Sequence, residues 1–349
     1  MTEKAKSQLE RLAAAPTAMG LATRLGVDHL RRLGIDPEPL LDRCGLSRFD
    51  VAGATRIDVI SQMEFLAQVS RATRDDWVGL TLARDFDLRE AGMLYYVASS
   101  SHRLGDALAR LQRYSRIGNE ALVVQIERGV AGCVRLSYTG APRHRDSHFM
   151  EFAILVLLRL SRHLVGRELV PTAASFIHHR SGDLRGTRRA LGCDVQFGAC
   201  ADEISFDAAS FDLPLAGDDP FLNRLMVTMC EEAMAARSSN LSPFRTTVEN
   251  AIAPLLPHAE ADSKTVAGKV GLSERTFARR LAAEGLSFRS ILDDLRRDLA
   301  LRYLGENLQA SQIAWLLGFH QASSFSHACR RWTGKSPSQH RREARAAPA

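Results

Sequence analysis

Cysteine is scarce and poorly placed for chemistry. The six among 349 residues (Cys44, Cys133, Cys193, Cys200, Cys230 and Cys329) show no C-x-x-C spacing, so neither a zinc site nor a disulfide framework is suggested and reduced thiols are expected. Long apolar runs are missing too. The longest, Phe152 to Leu158, falls well short of the ~18 residues of a membrane span and reads as a buried helix. Lys4, Lys6 and Arg11 precede an Ala-rich run, but Glu3, Glu10 and Pro16 interrupt it, so no signal peptide is expected. The expected compartment is the cytoplasm, without a membrane partner.

Catalytic motifs are lacking in the same way. There is no GxGxxG and no GxSxG, and Gly334-Lys335-Ser336 ends like a P-loop whose opening glycine is replaced by Cys329. No catalytic residue and no cofactor is expected, and the chain reads as a non-enzyme. His144 and His148 have i,i+4 spacing, with Glu151 a further turn along. A metal could use that set on a helix, but surface histidines are the commoner outcome and no metal is expected.

An excess of charge of either sign is absent from most of the chain: residues 1–257 hold 31 Lys+Arg against 31 Asp+Glu. Residues 258–349 hold 15 against 9, so the whole net charge of +6 lies in the last quarter. That is the electrostatic footprint of a segment that meets phosphates, although a solvated basic face has the same composition.

Periodicity separates two regions. Residues 1–115 read as helices, followed by a hairpin (Ala121 to Glu127 and Cys133 to Tyr138), an apolar helix (His148 to Leu164), an extended segment (Pro171 to His178), a short helix (Asp183 to Leu191), a strand (Glu203 to Phe206) and a helix (Asp218 to Met234). This order predicts an α+β domain rather than a βαβ series. Arg237-Ser238-Ser239-Asn240 with Pro243, then Pro254 and Pro257, mark a boundary. The expected division is an α+β domain over 1–240, a linker over 241–257 and an all-α region over 258–349.

That last region carries one pattern twice. Val266-Ala267, Gly271-Leu272, Phe277 and Leu281 recur as Ile313-Ala314, Gly318-Phe319, Phe325 and Cys329, offset by 47 residues at the first pairs and 48 after the glycine. Each copy reads as a short helix, a turn whose glycine enters positive φ, and a second helix with one apolar stripe: a helix-turn-helix in tandem. At ~100° per residue, Phe277 and Leu281 face a core while Arg275 and Arg279 face away beside Ala282 and Ala283. Guanidinium can bond guanine O6 and N7 in a major groove, and alanine lets the backbone approach. On the second copy Ser323, Ser324, His327, Arg330 and Arg331 face outward, a less basic surface that suits phosphate contacts from Arg330, Arg331, Lys335, Arg341 and Arg342. The candidate DNA-binding set is Arg275, Thr276, Arg279, Arg280, Ser323, Ser324, His327, Arg330 and Arg331. Phe288 to Leu304 reads as one helix of roughly 25 Å, able to hold two recognition helices about one DNA turn (roughly 34 Å) apart.

Ile313-Ala314, Leu317-Gly318-Phe319, Ser323-Ser324-Phe325-Ser326, Arg331-Trp332-Thr333-Gly334 and Ser336-Pro337 resemble the signature of the AraC/XylS family of bacterial transcription regulators over about 80 residues. Cys329, His327 and His340 depart from it, standing where the family usually has Phe, Arg and Tyr. Gly92-Met93-Leu94-Tyr95-Tyr96, Ala107-Leu108, Pro171 through Phe176, His178, Phe197-Gly198 and Leu213-Pro214-Leu215 resemble the effector-binding and dimerisation domain of the ornithine-regulator-like subgroup. The resemblance implies a homodimer that binds promoter DNA and a small-molecule effector and meets RNA polymerase there, with activator the expected sense and repression left open. Tyr95, Tyr96, Tyr114, Phe176 and His178 are the candidate effector contacts, although aromatic core is the ordinary reading of such residues. Two other readings stay open here: a ligand-independent repressor or DNA-organising protein, and an enzyme with its site in residues 90–215 and a DNA-binding appendage.

Overall fold

The computed structural model describes residues 16–47, 49, 56–129, 131–180, 184–235, 244–305 and 308–346. The candidate boundary residues Arg237 to Asn240 and Pro243, and linker residues 241–243, lie outside the described residues. Within them the chain divides into two units, residues 16–176, 184–196 and 201–235 in the first, and 177–180, 197–200 and 244–346 in the second.

The first unit opens with β1 (Thr17–Ala18), α1 (Leu21–Arg32), α2 (Glu38–Arg43), β2 (Ile57–Asp58), α3 (Val59–Thr73), α4 (Val78–Asp85), α5 (Met93–Ser99) and α6 (Leu104–Tyr114). The hairpin β3 (Leu122–Glu127) and β4 (Ala131–Tyr138) follows, then α7 (His148–Val165), β5 (Ala173–Phe176), α8 (Arg185–Leu191), β6 (Val195–Phe197), β7 (Asp202–Asp207) and α9 (Pro220–Ala235). Five strands form one sheet in the order β3-β4-β7-β5-β6. The pairs β3–β4, β4–β7 and β5–β7 are antiparallel, with Val124 opposite Leu136 and Val134 opposite Ile204. Along β4, Gly132, Val134, Leu136 and Tyr138 are buried and alternate with half-buried residues, the period of a sheet with one face on a core.

The α+β reading holds. It did not include β1 and β2, which pair Thr17 with Asp58 and Ala18 with Ile57, or β6. Strands of two or three residues carry no readable period, and their pairing is non-local.

Helix α7 is fixed over the sheet by a buried polar network. Arg143 and Asp202 form an ion pair with both side chains buried, Tyr138 Oη donates to Asp146 at 2.7 Å, and Asp146 accepts the Phe149 N–H at 2.9 Å. His144 lies in a 3₁₀ turn ahead of α7 rather than on it. His144 is half-buried and His148 is buried, so the surface reading of the two histidines is corrected: His148, with the buried Glu151, belongs to the packing at the start of α7. Among the described residues no helix is long and apolar enough to cross a membrane.

The second unit is helical: α10 (Phe244–Ile252), a 3₁₀ turn (Ala253–His258), α11 (Ser263–Lys269), α12 (Glu274–Ala283), α13 (Phe288–Gly305), α14 (Ala310–Leu316), α15 (Ala322–Thr333) and α16 (Pro337–Ala346). The expected linker over 241–257 is corrected from Phe244 onward. Phe244, Val248, Ile252, Leu255 and Leu256 are buried in the same core as Phe277 and Phe325. Pro254, which suggested a break, opens the 3₁₀ turn, where a missing N–H costs little, and Pro257 lies inside the same turn.

Candidate functional site

The two repeats match position by position inside the second unit. Val266, Ala267, Phe277 and Leu281 are 0–2% exposed, and their counterparts Ile313, Ala314, Phe325 and Cys329 are the same. The turn glycines agree as well, Gly271 at φ 73° and Gly318 at φ 72°. Each first helix is capped: Asp262 accepts the Lys264 and Thr265 N–H groups, and Gln309 with Gln312 forms a reciprocal capping box.

On α12, Ser273 is the N-cap and accepts the Thr276 N–H at 3.3 Å, while its hydroxyl donates to Thr276 Oγ1 at 2.9 Å. Thr276 is therefore engaged in starting the helix. Arg275 and Arg279 lie on the exposed side, and no described residue bonds to either side chain. Arg280 differs: its guanidinium rests over the Phe244 ring, 4.1 Å from the centroid, so it ties α12 to α10.

On α15, Ser323, Ser324, His327 and Arg330 are exposed. The Ser323 hydroxyl donates to Gln321 Oε1 at 3.3 Å. Arg331, grouped with Arg330 in sequence, bonds to Asp293 of α13 at 3.3 Å. The helix ends where Gly334 turns left-handed at φ 75°. Thr333 Oγ1 donates to the Cys329 carbonyl at 2.8 Å and meets His340 Nε2 at the same distance. His340 thus takes a structural place, and burial pushes the Cys329 thiol up. Arg342 is exposed, and the Arg341 side chain lies outside the described residues.

Helix α13 spans 18 residues, about 27 Å at 1.5 Å per residue. Most of its charge is paired: Arg297 with Asp294 and Asp298, and Asp294 also with Arg245 of α10. Arg296 is used differently. Its Nε donates to the Leu317 carbonyl at 2.9 Å and its guanidinium covers the Phe319 ring at 4.8 Å, which locks the second turn to α13. Among the described residues, the outward arginines of α12 and α15 without a side-chain partner are Arg275, Arg279 and Arg330.

The first unit contains a cavity of about 400 Å³, within the roughly 300–1,000 Å³ of small-molecule sites. One face of α7 lines it with Phe149, Phe152, Ala153, Val156, Leu157 and Leu160, spaced as a helix places one side. Val124 and Leu136 of the sheet, Leu94, Leu111, Phe86 and the segment Ala18 to Ala22 complete most of the wall. Its polar groups are Arg24 and Glu90, joined at 2.6 Å, with Gln62, Ser115 and Asn119.

None of the five aromatic and histidine candidates lines this cavity. Tyr95 bonds to His163 at 2.9 Å and Tyr96 is 43% exposed. Tyr114 is buried with Val97, Ile117 and Cys230 and donates to Glu231 at 2.5 Å. Phe176 is core, and His178 sits edge-on to Phe197 at 5.6 Å. The signal that could have found the cavity was α7 itself, apolar on more of its circumference than one core contact requires.

Two helix-turn-helix units carried on one connecting helix define a DNA-binding module, and the module shares its chain with an α+β unit that encloses a ligand-sized cavity. Residues 34–215 match the "Arabinose-binding domain of AraC transcription regulator, N-term" and residues 266–343 match a "Helix-turn-helix domain". The chain is 30% identical over 326 residues to the HTH-type transcriptional regulator VirS of Mycobacterium tuberculosis, covering 90% of this chain and 93% of that one. It is 28% identical over 268 residues to the ornithine utilization regulator of Pseudomonas aeruginosa, covering 76% and 78%. Among solved structures, the transcriptional regulator CdpR from Pseudomonas aeruginosa aligns over 92% of this chain and 98% of its own with a TM-score of 0.46 at 20% identity. The chain belongs to the AraC family of transcription regulators, with a small-molecule-binding N-terminal domain and a helix-turn-helix DNA-binding domain.

Proposed function

We propose that Arg275 and Arg279 of α12 are the principal base readers of this regulator, that α15 contributes mainly phosphate contacts through Arg330, and that the cavity beneath α7 is the effector site. One observation carries the reading. Of the basic side chains facing outward on the two recognition helices, Arg280 and Arg331 are engaged inside the unit, while Arg275 and Arg279 stand exposed opposite Phe277 and Leu281. A ligand in the cavity regulates DNA binding only if its affinity differs between two states of the protein. The DNA-binding unit is counted from Phe244, and the protein works in the cytoplasm without catalytic turnover.

Two macromolecular partners belong to the same reading. A second copy of the chain is supported by the stripe Phe221, Leu225 and Met229 on α9, 73%, 49% and 42% exposed at i, i+4, i+8 spacing. RNA polymerase is the second partner, because a regulator that occupies a promoter acts where the polymerase binds. Leu225→Glu should shift sedimentation from dimer to monomer.

The decisive experiment is a footprint of the full chain on the upstream region of its own gene and its neighbours, with and without pooled metabolites. Protection of two successive major grooves that a metabolite changes supports the reading. Uniform, sequence-independent protection would favour a DNA-organising protein.

A further inference from the structure

We propose that the cavity beneath α7 takes a neutral, mostly apolar molecule carrying one carbonyl-type hydrogen-bond acceptor, and not a sugar; this rests on the cavity being the effector site. The wall is hydrocarbon over most of its extent, from Phe149, Phe152, Val156 and Leu160 on α7 to Val124 and Leu136 on the sheet. A sugar would place hydroxyls against these side chains without partners, and each unpaired hydroxyl opposes binding.

The polar lining is small and has a definite sense. Asn119 is 3% exposed, and its Oδ1 accepts the Ala121 N–H at 3.0 Å. That bond fixes the amide orientation and leaves Nδ2 as a donor without a partner among the described residues. Gln62, 1% exposed, likewise has no partner for its Nε2 among the described residues. Both lie near one short strand: Ala18 is bridged to Asn119 and pairs with Ile57, five residues ahead of Gln62 in the chain. A buried donor without an acceptor is costly, and a ligand oxygen beside β1 relieves that cost.

Charge selects among acceptors. Arg24 and Glu90 lie in the more open part of the wall and satisfy each other at 2.6 Å. The lining therefore carries no net charge, and a carboxylate would be buried without a counter-ion. A ketone, ester or lactone oxygen on a hydrocarbon body meets both conditions.

Calorimetry on the full-length chain tests this with 2-alkanones from heptanone to tridecanone, n-alkanoates of matching length, 1-undecanol and L-arabinose. The dissociation constant of the alkanones should fall about fourfold per added methylene, the equivalent of about 0.8 kcal/mol, until the cavity is full. Undecanoate should bind at least about tenfold more weakly than 2-undecanone, and arabinose should give no binding heat. Asn119→Asp keeps the acceptor toward Ala121 and replaces the donor by an acceptor. It should weaken 2-undecanone about tenfold while leaving the hydroxyl donor 1-undecanol undiminished, an inversion that general loosening of the fold would not produce. Two plugs, Ala153→Phe and Val156→Trp, should abolish binding of every probe. Alkanoate or arabinose binding that the plugs abolish, with no alkanone binding, overturns the ligand class and keeps the site. Alkanone binding untouched by both plugs overturns the site, and failure of the alkanones at every length without any other ligand overturns the class.

Discussion

A methyl group added at Gly318 would meet the Leu256 carbonyl oxygen at 2.5 Å, whereas at Gly271 nothing lies within 4 Å. Both glycines hold positive φ, so alanine at either carries a left-handed penalty of about 1–2 kcal/mol. Gly318→Ala should add a further 1–3 kcal/mol or so because backbone must move. Thermal melting followed by tryptophan emission of the second unit should rank the variants in that order; equal losses would mean that Leu256 does not pack on the turn. The reading helices differ at the same scale. Replacing a bidentate guanidinium contact costs about 1–3 kcal/mol, roughly 5- to 150-fold. Arg279→Ala should weaken a specific promoter site by that amount in a mobility-shift titration, and His327→Ala by less. Equal losses would count against the asymmetry. Arg275 and Arg279 were legible from the helical wheel alone, because an outward position needs only local periodicity. The engagement of Arg280 with Phe244 and of Arg331 with Asp293 was not, since those partners lie 36 and 38 residues away in sequence.

At the scale of elements, helix starts answer to nearby side chains. Asp262 is held below the ordinary aspartate range by the Thr265 hydroxyl, then by the Thr265 and Lys264 N–H groups. Because the folded-state pKa is depressed, the cap's contribution is fully present above the unfolded-state pKa and is lost as pH falls through the lowered value. Asp262→Asn keeps the acceptor and should flatten the acid limb of the melting profile; an unchanged limb would show that this cap does not contribute. The segment Phe244 to His258 makes a larger claim. Its buried Phe244, Val248, Ile252, Leu255 and Leu256 are worth about 1.5–3 kcal/mol each, a sum comparable with the whole ~5–15 kcal/mol stability of a domain. A fragment over 244–349 should show cooperative loss of helical circular dichroism on heating, and one over 258–349 should not. Sequence placed a linker here because Pro254 and Pro257 read as punctuation. Only the packed core shows that a 3₁₀ turn uses them.

For the whole molecule, the surplus of 15 Lys+Arg over 9 Asp+Glu in residues 258–349 predicts binding governed by counterion release. Raising salt from ~50 to ~200 mM should weaken the promoter complex about a hundredfold or more, with a linear log–log slope. A flat response would remove phosphate neutralisation from the mechanism. The sequence by itself determined the tandem repeat, its core positions and turn glycines, the α+β class of the first unit and the location of the charge, because each depends on spacing along one element or on composition. The tertiary structure alone decided that Phe244 to Leu256 join the helical core, which arginines of α12 and α15 remain free, and where the ligand-sized space lies. That space is bounded by residues as distant as Ala18, Gln62, Asn119 and Leu160, and a void is a property of how separate elements fail to fill the volume between them, which no local pattern records.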